Sequence, residues 1–287
     1  MMKSNGLSNG AVAKITDYER STISRIVRGE YPNWEQKQQE IVQKLKQAGY
    51  TEQGQDRIRI KDNVIVMTPS VIDFKSLADD LSDQDGTLSS SIGMAIGTAE
   101  RGKTYTSQWI TQNNDNVSYV LYVDGFTLVQ VLRDICDAVA HTRPYSMGKC
   151  ITVLEEHCKY RRQLVIIDEA DKCPIKILEM LRGVNERCRL PFMLVGEEQL
   201  KSKIDQVPRL RSRIRKPIVV FEEATEVDVA AYYLQAAGIT IGKDIAHLLC
   251  KHSRGGFRTI SNEANALAEM ANASGIKTIT ESMIRQL

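Results

Sequence analysis

Apolar positions along this chain fall into two kinds of stretch. Short, nearly unbroken apolar runs stand at residues 92–96, 117–123, 164–167 and 192–195, the pattern of strands covered on both faces. Between them, a 3.6-residue period predicts helices over Lys103–Gln112, Leu128–Ala140, Cys150–Tyr160 and Ile175–Glu186. Strand and helix in alternation predict an α/β fold, a doubly wound parallel sheet. Ligands of such sheets bind beyond the carboxyl ends of the strands, where residues 97–104, Asp124, Asp168 and Glu197 all fall. From Glu222 onward only helical periods remain, at 227–238, 243–253, 257–275 and 280–287, and they read as a small helical lid.

The N-terminal pattern differs. Residues 9–29 carry apolar side chains at Val12, Ala13, Ile15, Tyr18, Ile23, Ile26 and Val27 with a polar break over 16–20, which predicts two short helices joined by a tight turn. Ala13 is expected between the helices, and Tyr18 and Ile23 in the hinge core. A third, amphipathic helix over 34–48 would turn Trp34, Ile41, Val42 and Leu45 inward. The expected division is therefore a small all-α module over 1–48, a polar linker over 49–63, an α/β domain over 64–221 and the lid over 222–287. Residues 79–91 read as an acidic, serine-rich surface loop.

Composition changes this picture little. The 287 residues are those of an ordinary globular protein of two or three units. No apolar run approaches the roughly 20 residues that span a bilayer, and the N-terminus has no apolar signal core, so a cytoplasmic location is expected. The six cysteines show no C-x-x-C pairing, which predicts reduced, mostly buried thiols and no structural metal. Charge is informative only locally. Residues 1–61 hold 11 Lys/Arg against 7 Asp/Glu, and the segment 200–217 holds seven Lys/Arg against Asp205 alone, a surface suited to a neighbouring subunit or to nucleic acid.

The chemistry begins after the first apolar run. Gly97-Thr98-Ala99-Glu100-Arg101-Gly102-Lys103-Thr104 fits the phosphate-loop pattern G-x-x-x-x-G-K-[ST]. Its glycines allow backbone N–H groups to face phosphate oxygens; Lys103 would reach the β- and γ-phosphates, Thr104 would ligate Mg²⁺, and the helix beginning here, which includes Tyr105, adds its positive end. The run 164–167 ends abruptly in Asp168 and Glu169. Asp168 is placed to hold Mg²⁺ through its water shell, and Glu169 to orient and polarise an attacking water. ATP and Mg²⁺ are the implied ligands, with the MTPSV segment (67–71) set beside the adenine.

These motifs, in order with a strand ending LVGE, then RLRSRI, then GGFRTI in the lid, resemble the AAA+ ATPases of the initiator and transposition-regulator type over residues 64–287. Residues 9–29 resemble the helix-turn-helix of phage-repressor-type proteins, with Arg20, Ser21, Thr22 and Arg25 toward the major groove and Asp17 in the place of the turn glycine. Taken together, the whole chain resembles the target-DNA activators of Mu-like phages. That resemblance implies an arginine finger at Arg213 acting on a neighbour's γ-phosphate, and a second sensor at Arg258. It also implies double-stranded DNA and a transposase as partners, a homo-oligomer in helical filament or ring form, and phage or prophage origin in a bacterial cytoplasm. Arg143 and Lys149 are the expected DNA contacts of the ATPase domain. Where the family places a neutral polar residue after the fourth strand, this chain has Glu197 and Glu198; either Glu197 points away or hydrolysis is slow. Two other readings stay open, a sequence-specific regulator or replication loader, and an ATPase of a secretion or signalling complex that needs no DNA.

Overall fold

The computed structural model describes residue 2 and residues 7–48, 57–83 and 91–287. Residues 49–56 of the expected linker and 84–90 of the expected acidic loop lie outside the described residues. The chain divides into two compact units, Met1–Ile60 with Leu267–Ile279, and Lys61–Ala266 with Thr280–Leu287. The divisions fall at 60/61, inside the expected linker, and at 266/267 and 279/280, within and after the last long helix.

In the first unit, α1 (Asn9–Thr16), α2 (Arg20–Val27) and α3 (Trp34–Gln47) enclose Val12, Ile23, Ile26, Ile41 and Leu45. The Ser8 hydroxyl accepts from Ala11 N at 3.2 Å and so starts α1. Asp17 ends it at φ 57°, the left-handed turn that glycine usually supplies. Ala13 and Tyr18 pack against this core, but Tyr18 also donates its hydroxyl to Glu40 Oε1 at 3.0 Å and accepts from Lys37 Nζ at 3.1 Å. Trp34 departs from expectation. It is 38% exposed and Val42 half-buried, because Trp34 opens α3 and its ring lies over the turn at Gly29, 3.7 Å from where a Cβ would stand.

In the second unit the elements follow as α4 (Pro69–Ser82), β1 (Ile92–Ile96), α5 (Lys103–Gln112), β2 (Val117–Leu121), α6 (Leu128–Ala140), α7 (Met147–Cys158), β3 (Leu164–Asp168), α8 (Ile175–Cys188), β4 (Phe192–Gly196), α9 (Gln199–Asp205), α10 (Pro208–Arg211), β5 (Val219–Val220), α11 (Glu226–Ala237), α12 (Lys243–Ser253), α13 (Phe257–Ser274, of which the part from Leu267 belongs to the first unit) and α14 (Glu281–Ile284). The strands form one parallel sheet in the order β2-β3-β4-β1-β5. Alternate side chains serve opposite faces. Ile92, Met94, Val165, Ile167, Phe192 and Leu194 pack with α6, α7 and α8; Ala95, Leu164, Ile166, Met193 and Val195 pack with α4 and α5. Both faces are covered, so the runs are apolar throughout. Two boundaries shift from expectation. β2 stops at Leu121, two residues early, and α7 starts at Met147 because Ser146 caps it, accepting from Lys149 N at 3.4 Å.

Candidate nucleotide site

β1 delivers residues 97–104 to the carboxyl end of the sheet. Two glycines make the turn there. A Cβ on Gly97 would lie 2.7 Å from the Phe221 carbonyl oxygen, a backbone atom that cannot yield, so the close passage of the chain after β5 requires glycine at that point. Gly102 has φ 91° and opens α5, whose first residue is Lys103. Glu100, at φ 66°, takes a left-handed conformation without being glycine, and its surroundings hold it there. Its carbonyl accepts from Phe257 N and its Oε2 from the Thr259 hydroxyl, both at 2.9 Å. Arg101 points to the same lid turn, donating to Arg254 O at 2.7 Å and to Glu223 Oε1 at 2.6 Å, with its Nε bonded to Thr98 Oγ1 at 3.0 Å.

Lys103 is buried, and its Nζ donates to the Gly97 and Thr98 carbonyls, each at 2.6 Å. Burial lowers its pKa; Glu197 most, then Asp168, Asp171 and Glu169, act against that and favour the ammonium. The Glu197 charge is thus the strongest of the four in favouring the Lys103 ammonium. The Glu197 N–H is fixed by Asp171 Oδ1 at 3.1 Å. Asp168, the last residue of β3, is 1% exposed. Its Oδ2 accepts from the Tyr119 hydroxyl and its Oδ1 from Glu169 N, both at 2.9 Å. Burial and then the Asp168 charge push the Tyr119 pKa up, so the phenol stays a donor. Glu169 stands at φ 58° with its carboxylate 2.6 Å from Lys172 Nζ, an ion pair that raises the Lys172 pKa.

The other residues singled out in the sequence are less central. Thr104 is half-buried in the first turn of α5; Ala99 and Tyr105 are exposed. Asp124 bonds within its own loop, to Gly125 N at 3.0 Å. Met67 is 45% exposed just before α4, where Thr68 caps the helix and the Ser70 hydroxyl donates to Val220 O at 3.0 Å. Arg258 is exposed in the first turn of α13, next to Phe257, which lies 3.7 Å from a Cβ placed on Gly102. Arg213 stands at the opposite end of the sheet. Its carbonyl accepts from Ile92 N at 3.3 Å, and its guanidinium pairs with Glu186 at 2.7 Å. Arg143 pairs with Asp134 and Asp137, and Lys149 lies on the Tyr145 ring, 4.5 Å from its centroid. In the first unit, Arg20 and Ser21 are exposed at the start of α2 and Thr22 is half-buried; Arg25 sits 5.5 Å over the Tyr31 ring.

Sequence reasoning missed Tyr119, Lys172 and Glu223. Lys172 had a signal, its i,i+3 spacing from Glu169; the other two contacts span 49 and 122 residues and leave none.

A parallel sheet of this order, a phosphate loop after β1, an Asp-Glu pair closing β3 and helices folded over the loop define the AAA+ fold. Residues 87–204 match the family model described as an AAA domain. The structure of Cdc6p from Pyrobaculum aerophilum is similar, with a TM-score of 0.61 and 16% identity over 80% of this chain and 70% of that one. The sequence is similar to the ATP-dependent target DNA activator B of Escherichia phage Mu, 26% identical over 208 residues, and to that of Escherichia phage D108, 25% identical over 210. Each match takes in 70% of this chain and spans 66% of the length of the relative. The chain thus carries an AAA domain on the AAA+ fold, and its sequence resembles the target DNA activators. Among the described residues no helix is long and apolar enough to cross a membrane.

Proposed function

We propose that this protein is an ATPase that assembles on duplex DNA in its ATP state, without choosing a sequence, and delivers that DNA to a transposase. The observation that carries the reading is the meeting of Lys103, Asp168 and the lid turn at one phosphate loop, in a chain whose relatives are ATP-dependent target DNA activators.

The residues present fit ATP and Mg²⁺. Gly97 and Gly102 keep side chains out of the loop, and Asp168 with the Thr104 hydroxyl offers the oxygen donors that Mg²⁺ prefers. Mg²⁺, when bound, supplies positive charge against the phosphates. Lys103 would exchange its bonds to two loop carbonyls for phosphate oxygens, helped by the N–H groups of residues 98–104 and by Arg258 from the lid. Glu169 would accept a proton from water after parting from Lys172. The Tyr119 hydroxyl fixes the Asp168 carboxylate, and Glu197 near the same ammonium slows turnover by repelling phosphate charge. Slow turnover suits a protein that acts by staying on DNA. Arg213 would complete the site of the next copy, and Arg143 and Lys149 would meet phosphates by leaving Asp134, Asp137 and Tyr145. The bacterial cytoplasm is the compartment this function requires.

Electron microscopy with ATP and plain duplex tests the reading. Filaments or rings on DNA are expected with ATP and not without it; no ATP-dependent duplex binding would remove it and favour an ATPase that needs no DNA. One observation favours a second reading, a site-specific switch: α1 and α2 are joined through the left-handed Asp17, with Arg20, Ser21 and Arg25 outward. Footprinting separates the two, since one protected site marks the switch and uniform protection marks the assembly.

A further inference from the structure

At the amino edge of the sheet, where the chain enters β3 through Gln163 and β4 through Pro191, lies a cleft of about 500 Å³. Lys159, Arg161, Arg162, Arg187 and Arg189 line it, and among the described residues Glu155 is the one acidic side chain in its walls. This local excess of +4 exceeds the +2 of the entire chain, so the remainder of the protein is net acidic. Like charges this close repel unless something offsets them. Arg187 is offset by Glu155 at 2.7 Å, and Arg162 donates to Asp83 O at 2.7 Å. The ends of α7 and α8 meet here as well, but each helix terminus is worth only about −0.5 charge. Two such ends cancel roughly one charge, fewer than the three that Lys159, Arg161 and Arg189 carry.

We propose that this cleft binds the phosphodiester backbone of double-stranded DNA. Several observations favour a strand of phosphates over a single small anion. The cations are spread along 159–162 and across to 187–189, and the cleft of about 500 Å³ far exceeds one small anion. Tyr160 is 80% exposed beside it, with Lys159 over its ring at 5.3 Å to the centroid. The surface is separate from the phosphate loop, which lies at the other end of the same strands, and from Lys149 at the opposite end of α7. The inference rests on the DNA-binding reading above and adds a contact surface to it.

The test is the salt dependence of binding to a plain fluorescent duplex by the full chain. Each phosphate contact contributes about 0.9 to the slope of log K against log salt concentration. Arg161→Ala with Arg189→Ala should lower that slope by about 1.8 at an unchanged melting temperature. Arg161→Lys with Arg189→Lys should keep it, because charge and not shape is read. An unchanged slope in the alanine pair overturns the inference while duplex binding by the parent protein leaves the wider reading standing. If the alanine pair instead loses affinity for poly-L-glutamate with DNA binding intact, the cleft serves an acidic protein partner and the inference fails. A parent protein that binds no duplex overturns both.

Discussion

At the carboxyl end of the sheet, Lys103 is, among the described residues, the one buried cation beside Asp168, Glu169, Asp171 and Glu197. At the amino end of the same strands, Glu155 is the lone carboxylate with five cations among the described residues of the cleft, and a few residues away Arg213 and Arg182 share Glu186. The contrast follows from chain direction. In a parallel sheet with crossover helices, helix N-termini gather at the carboxyl end and helix C-termini at the amino end, so each end has a partial charge that tolerates the opposite side chain. The sheet is thus polarised before any ligand arrives. Closed, bonded geometry distinguishes the carboxyl end; open, mostly solvated charge distinguishes the other.

The largest expected effect would join the two ends. β1 separates Arg213 from the phosphate loop of its own chain by five residues, roughly 16 Å at 3.3 Å each, so an arginine finger there must serve another copy. Arg213→Ala should bind ATP like the parent and hydrolyse it about 10³-fold more slowly, and mixing with Lys103→Ala should restore part of the rate. Phosphate release measured against protein concentration checks this; activity that is independent of concentration, with no rescue, would leave the ends unconnected. Glu169→Gln confines the loss to the carboxyl end. It should cut hydrolysis at least about 100-fold while fluorescent-nucleotide binding persists and DNA complexes last longer; normal turnover would take the water-orienting role from Glu169.

Smaller effects sharpen the contrast through stability. Gly97→Ala sets a Cβ against the Phe221 carbonyl and should cost about 1–3 kcal/mol in denaturant unfolding, with nucleotide affinity falling as the loop is displaced. An unchanged midpoint would show that β5 yields. Thr127→Ala removes the capping box of α6, in which Thr127 Oγ1 accepts from Gln130 N at 3.3 Å. A loss of about 1 kcal/mol is expected with hydrolysis unaltered, because this residue belongs to neither set of charges.

How much of this was legible in the sequence depended on how local each feature is. β1, β3 and β4 showed as apolar runs because helices cover both faces, and the loop showed because two glycines and a lysine stand at fixed spacing. β5 has two residues, pairing only Val219 and Val220 with Ala95 and Ile96, too few to form a run. α9 and α10 hid in a stretch read for its charge, although Leu200, Ile204 and Leu210 are buried beneath it. Trp34 misled because a large apolar ring at a helix start covers a turn as readily as it enters a core. The amino-edge cleft was invisible for the opposite reason, since its cations come from two segments about 25 residues apart that meet only when β3 and β4 pair.

The bonds from Glu100 and Arg101 to the lid turn form a two-point clasp, each residue held by both a backbone and a side-chain partner. When one point opens, the other keeps it at a high effective concentration, so reclosure outpaces separation and neither point comes loose alone. The loop and the first turn of α13 form one unit of local opening, and their amide protons should exchange with solvent at a common rate. Whatever loosens the loop at Glu100 then also frees Thr259, and the nucleotide end of the sheet is felt in the lid as a change in lifetime before any change in shape.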